Sequence, residues 1–142
     1  MNYNFSPALL LIRLLLGVIF FLQGLGKVFK IGVEHLLSQV FTPMLQDTFV
    51  PYFIQVAIAY FTSYAELIGG LFLLLGLFRK YTYMVLALVL VVVSIGHGIA
   101  QPIWDLTHVF YRASFLVFLI VIPFNQDKYS LDQMINNKSN KN

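Results

Sequence analysis

Between Tyr81 and Ile103 the chain contains no Asp, Glu, Lys or Arg. A helix crossing a hydrocarbon core of about 30 Å needs about 20 mostly apolar residues, and this run is long enough. The same search for missing charge finds three more runs. Pro7 to Phe29 is broken only by Arg13 and Lys27. Tyr52 to Phe78 has the single acid Glu66, and Thr107 to Phe124 the single base Arg112. The remaining composition agrees. Of 142 residues, 59% are hydrophobic and 11% charged, against roughly 25% charged in an ordinary soluble domain. Such a chain has too few polar residues to cover a water-facing surface, and too few charges to be disordered. With no cysteine, it forms no disulfide, binds no zinc through thiolates and does no dithiol chemistry of its own. The net charge of +3 is spread without a basic run, so nucleic acid is not an expected partner and the charge bears on topology.

Helix breakers and aromatics divide the chain in the same way. Pro7 suits a first helical turn, Pro51 precedes the second run, Pro102 ends the third and Pro123 the fourth. Tyr52, Tyr81, Tyr83, Trp104, Tyr111 and Phe124 sit near the ends, where interfacial aromatics collect. In the longest connection, Val33, Leu36, Leu37, Val40 and Phe41 recur at helical spacing, which predicts a short amphipathic helix on the membrane surface. The expected architecture is all-α: an integral membrane antiparallel four-helix bundle, one domain over residues 1–134, with a polar flexible tail at 135–142. Arg79, Lys80, Lys128, Lys138 and Lys141 fall on one side, which the positive-inside rule makes cytoplasmic together with both termini. The apolar N-terminus lacks a basic leader and a cleavage site, so it reads as a retained first helix.

Ionisable residues inside a bilayer are costly and normally face the bundle interior. Arg13, Gly17, Phe20, Gly24 and Lys27 lie on one face of the first helix, with Gln23 beside it. Thr62, Ser63, Glu66, Gly69 and Gly70 share a face of the second. Ser94, His97, Gly98 and Gln101 share one on the third, and Asp105, His108 and Arg112 one on the fourth. Small-residue spacings at Ala65–Gly69 and Ser94–Gly98 suggest close helix approach. At about 1.5 Å per residue, Glu66 and Arg112 both lie about 17 to 18 Å from the cytoplasmic ends. Gln23, His97 and His108 fall about 22 to 24 Å up, and Arg13 only about 8 Å. Glu66 and Arg112 are therefore the expected pair, at the floor of a polar pocket of Gln23, Lys27, His97, His108 and Arg112. Two readings compete. The charges form a ligand or proton site, or Glu66 and Arg112 simply neutralise each other and set helix register. Lys27 is expected to snorkel outward. Arg13 has the same escape on the cytoplasmic side, or reaches Glu66 from below. A b-type haem between His97 and His108 is a less favoured use of those residues, and no metal site is expected. No nucleophile elbow, phosphate loop, dinucleotide fingerprint or zinc motif is present, so neither hydrolase nor kinase is expected.

The first helix reads R-x3-G-x2-F-x3-G-x2-K through Arg13, Gly17, Phe20, Gly24 and Lys27. The second reads E-x2-G-G through Glu66, Gly69 and Gly70, then L-G-L around Gly76. In this order the residues strongly resemble the DoxX family of small bacterial membrane proteins. The resemblance implies a four-helix protein of the bacterial inner membrane. It also implies a link to redox chemistry, because the family takes its name from a subunit of a quinone-reducing thiosulfate dehydrogenase. The expected function is an accessory subunit of a quinone-linked redox system, not an enzyme by itself. Quinone would be the ligand, membrane lipid the surroundings, and a protein partner or second copy the company. A non-catalytic scaffold is the alternative, and a small transporter a weaker one. A cargo-receptor role, known in a eukaryotic relative, lacks its dilysine signal in the ending Asn140-Lys141-Asn142.

Overall fold

A computed structural model describes residues 5–101 and 107–139, with the side chains of His108 and Ser139 left out. Among the described residues the regular structure is entirely helical. Helix α1 spans Ser6–Leu25, with Pro7 in its first turn, and continues into a π-helical turn at Gly26–Ile31. Gly32 then turns the chain with φ of +85°, a conformation that glycine adopts without a Cβ penalty. Beyond it, α2 (Val33–Leu36), a second π-helical turn (Leu37–Phe41) and α3 (Thr42–Leu45) form the amphipathic segment. Val33 and Leu37 pack with Ala59, while Val28, Phe41 and Val56 close around them.

Helices α4 (Tyr52–Leu75) and α5 (Arg79–Ala100) follow, then α6 (Thr107–Val121), a 3₁₀ turn (Phe124–Gln126) and α7 (Leu131–Ser139). Among the described residues, three helical stretches are long and apolar enough to cross a membrane: Ser6–Ile31 with 26 residues, α4 with 24 and α5 with 22. The fourth expected span is shorter than its sequence range of 107–124. Helix α6 has 15 residues and extends roughly 23 Å. It stops because the residue before Pro123 is driven out of the helical region. The same effect ends α5, where Gln101, just before Pro102, takes φ −140° and ψ 107°.

Large apolar side chains such as Leu11, Leu22, Ile68, Leu88 and Val91 point outward on α1, α4 and α5. Inside, Leu9, Leu16 and Phe20 of α1 meet Leu73 of α4, Leu86 and Leu90 of α5, and Leu116 and Leu119 of α6. Helix α1 packs on α4, α4 on α5, α5 on α6, and α6 back on α1.

The closest approach is between α1 and α4, and glycine permits it. A Cβ on Gly24 would collide with the backbone nitrogen of Leu67, and one on Gly70 with that of Phe21. A Cβ on Gly17 would lie 2.9 Å from the backbone nitrogen of Leu74. The tightest seam thus lies here, at Gly24 and Gly70. Gly69 instead meets the side chain of Leu86, with Cδ2 at 2.9 Å.

Candidate functional site

Among the described residues there are two groups of buried charge, and they differ in construction. The first lies where α4 ends and α5 begins. Leu77 N–H donates to Phe72 O at 3.0 Å, closing α4 around Gly76, whose φ is +67°. The last carbonyls of a helix have no intrahelical donors and carry partial negative charge. Arg13 supplies the donors: its Nη1 reaches Leu73 O at 3.0 Å and Leu74 O at 2.7 Å. Its Nη2 donates to Tyr129 O at 3.1 Å, and its Nε lies 3.2 Å from Asp127 Oδ2. Arg79 donates to Phe124 O at 2.8 Å and stands 3.4 Å from both Asp127 and Asp132. Asp132 in turn accepts from the amides of Phe78 and Arg79, each at 3.0 Å, and so caps the start of α5. Two arginines and two aspartates thereby latch the C-terminal segment onto the helix ends.

This latch corrects one sequence expectation. Arg13 is 1% exposed. It neither escapes to the surface nor approaches Glu66, because the carbonyl end of α4 is nearer and binds it. Nothing in helical periodicity points to Asp127 or Asp132. One signal was available: Ser130-x-x-Gln133 is a helix-start pattern. The Ser130 hydroxyl accepts from the Gln133 amide at 3.3 Å. Helix α7 runs past Met134 to Ser139.

The second group lines a cavity of about 270 Å³ among α1, α3, α4, α5 and α6 and the π-helical turns. Gln23, Lys27, Glu66, His97 and Arg112 all border it, with Thr62 on the same wall. Apolar residues complete it, including Leu36, Val40, Phe41, Met44 and Leu45 from the segment after Gly32. Glu66 is fully buried on α4, one turn beyond Thr62, whose hydroxyl is satisfied by Ile58 O at 2.8 Å. The α1–α4 seam at Gly24 brings the next turn of α1 over Glu66. Lys27 Nζ consequently lies 2.7 Å from Glu66 Oε2.

The contact ion pair is Lys27 with Glu66, while Arg112, the expected partner, acts on Glu66 electrostatically without an ion-pair contact. Lys27 turns inward with a side chain 17% exposed. A glycine seam sets its position more strongly than snorkelling does. Arg112 borders the same cavity, but its guanidinium lies over the Phe20 ring, 5.7 Å from the centroid. The Oε1 of Gln23 is buried with no hydrogen-bond partner among the described residues. The side chain of His108 lies outside the description, so the haem pairing with His97 does too. Among the described residues, no three of His, Asp and Glu gather as a metal site would require.

The sequence profile of the DoxX family matches residues 8–98, well over half of the chain. The chain belongs to the DoxX family. No curated protein and no solved structure matches it. In this DoxX chain the motif residues divide by task. Gly17, Gly24 and Gly70 let α1 and α4 touch, while Gly69 admits Leu86. Arg13 and Gly76 belong to the latch, where a Cβ on Gly76 would crowd Arg13 Nη1 at 2.7 Å. Lys27 and Glu66 form the charged pair of the cavity, and Phe20 lies beneath Arg112. Arg112 itself falls outside the matched range.

Proposed function

We propose that this DoxX protein is an accessory subunit of a quinone-linked redox system in a bacterial inner membrane, and that its cavity receives the headgroup. In this reading the four apolar stretches alternate in direction as an antiparallel bundle. Both termini face the cytoplasm, and the cavity lies in the outer half. The observation that carries it is the composition of the cavity: Lys27, Arg112 and His97 as donors, with Glu66 beside them, inside apolar walls. A quinone needs donors to its carbonyls and, on reduction, a proton source. Glu66 and Lys27, 2.7 Å apart, supply a relay for that proton. The buried Gln23 oxygen, with no described internal partner, also suits a wall that meets a polar ligand. In this reading the electrons come from a partner protein; with no cysteine, the chain supplies neither a dithiol nor a thiolate-held cluster of its own.

The test is native mass spectrometry of the protein in gentle detergent, followed by turnover of its complex. A bound quinone, and loss of quinone-dependent turnover in Glu66→Gln, is the expected result. No quinone uptake together with unchanged turnover would defeat the proposal. A second reading, a partner-binding scaffold, draws on α7, where Met134 and Ile135 are 45% and 57% exposed beyond the latch. Cross-linking from Ile135 would then recover a stable partner, while the quinone assay stays silent.

A further inference from the structure

Among the described residues that line the cavity, positive charge outnumbers negative. Of these residues, Lys27 and Arg112 are cations and Glu66 is the one acid. Glu66 is engaged at 2.7 Å by Lys27. Arg112 feels the same Glu66 electrostatically and has the Phe20 ring at 5.7 Å, a weak further attraction, so one acid serves two cations. His97, on the same wall, adds no anion. A half-buried guanidinium that shares its acid with Lys27 is incompletely compensated, and a buried charge normally finds a partner.

We propose that the counter-charge is an anionic amphiphile, a long-chain carboxylate, whose head binds the Arg112 guanidinium. Arginine presents a planar fork that matches a carboxylate with two parallel hydrogen bonds. The walls fit the other end of such a molecule, since Val40, Phe41, Met44, Ile58 and Val93 are apolar. A volume of about 270 Å³ admits a small head and the first methylenes of a chain. Arg112 is the specificity-determining residue, and the Lys27–Glu66 pair is the wall beside it. This inference rests on the cavity being a ligand site, and does not need that ligand to be a quinone.

The test titrates the full-length protein in detergent with palmitate, with hexadecanol as a neutral probe of equal length, and with decylubiquinone. Binding is read by native mass spectrometry. Palmitate is expected to bind at least about tenfold more tightly than hexadecanol, as expected for a charge that gains a buried partner. Arg112→Met should remove that advantage and leave hexadecanol binding unchanged, while Arg112→Lys keeps the charge without the fork and should retain only part of it. Glu66→Gln removes the one acid and should strengthen palmitate binding. If Arg112→Met fails to fold, the opposite directions of Arg112→Lys and Glu66→Gln carry the test. Equal binding of palmitate and hexadecanol, or weaker palmitate binding in Glu66→Gln, overturns the inference. Decylubiquinone binding without palmitate binding overturns it too and leaves the quinone reading standing. Palmitate binding without decylubiquinone binding supports it and defeats the quinone reading. Binding of neither defeats both.

Discussion

The latch and the cavity each hold arginine and acid inside the protein, yet they serve opposite ends. In the latch, two arginines face two aspartates, and backbone carbonyls take further arginine donors. Packing beside it is tight: a Cβ on Gly76 would crowd both Arg13 and Ser130. In the cavity, two cations share one described acid, Gln23 keeps an oxygen without a described partner, and about 270 Å³ stays open. A charge cluster that is balanced and filled holds a fold together. One that is hollow, with two cations to one acid among the described residues, is what the proposed ligand site requires.

The comparison breaks first at Asp127. Replacing it with alanine strands Arg13 and Arg79 in the interior, and breaking a buried ion pair costs about 3–5 kcal/mol. Expression yield and thermal melting in detergent should both collapse; a wild-type melting curve would show that the latch carries no stability. Next is the α1–α4 seam. Gly24→Ala forces the helices apart and should cost about 1–3 kcal/mol, as overpacking does. Gly26→Ala is its control, because a Cβ there meets nothing within 4 Å. Its stability should stay within about 0.5 kcal/mol of the parent. A parallel pair of melting curves would contradict the seam.

Glu66→Gln should destabilise by only about 1–2 kcal/mol, the range for losing one charged contact. Lys27 keeps a partly exposed position beside open space, so it is not stranded as Arg13 would be. If this variant unfolds as readily as Asp127→Ala, the cavity charges are structural and the contrast fails. Asp132→Ala should have the smallest effect of the acids, about 1 kcal/mol for a lost helix cap. Hydrogen exchange should speed up at the Phe78 and Arg79 amides while α4 stays protected. Uniform exchange across α4 and α5 would mean that the cap does not act locally.

Much of this was legible in the sequence. Missing charge marked the helices, and helical spacing placed Thr62, Ser63, Glu66, Gly69 and Gly70 on one face, all of them buried. Pro102 and Pro123 announced breaks, although the second falls early enough to leave α6 short. Depth groups Gln23, Lys27, Glu66, His97, His108 and Arg112, and all of these but His108, whose side chain lies outside the description, border one cavity. Depth along an axis follows from counting residues, because the rise of a helix is constant.

Partner choice had no such rule. Whether Glu66 meets Lys27 or Arg112 depends on how α1, α4 and α6 rotate and how closely they pack, and periodicity along one helix carries neither quantity. The glycine contacts at Gly24 and Gly70 set that distance, and with it the Lys27–Glu66 pair. Likewise, Arg13 found the carbonyl end of α4 and Asp127 from the far end of the chain. The positions of the charges along the sequence determined that this protein is a set of apolar helices with a few inward charges. Only tertiary packing decided which of those charges neutralise each other and which one is left facing a cavity.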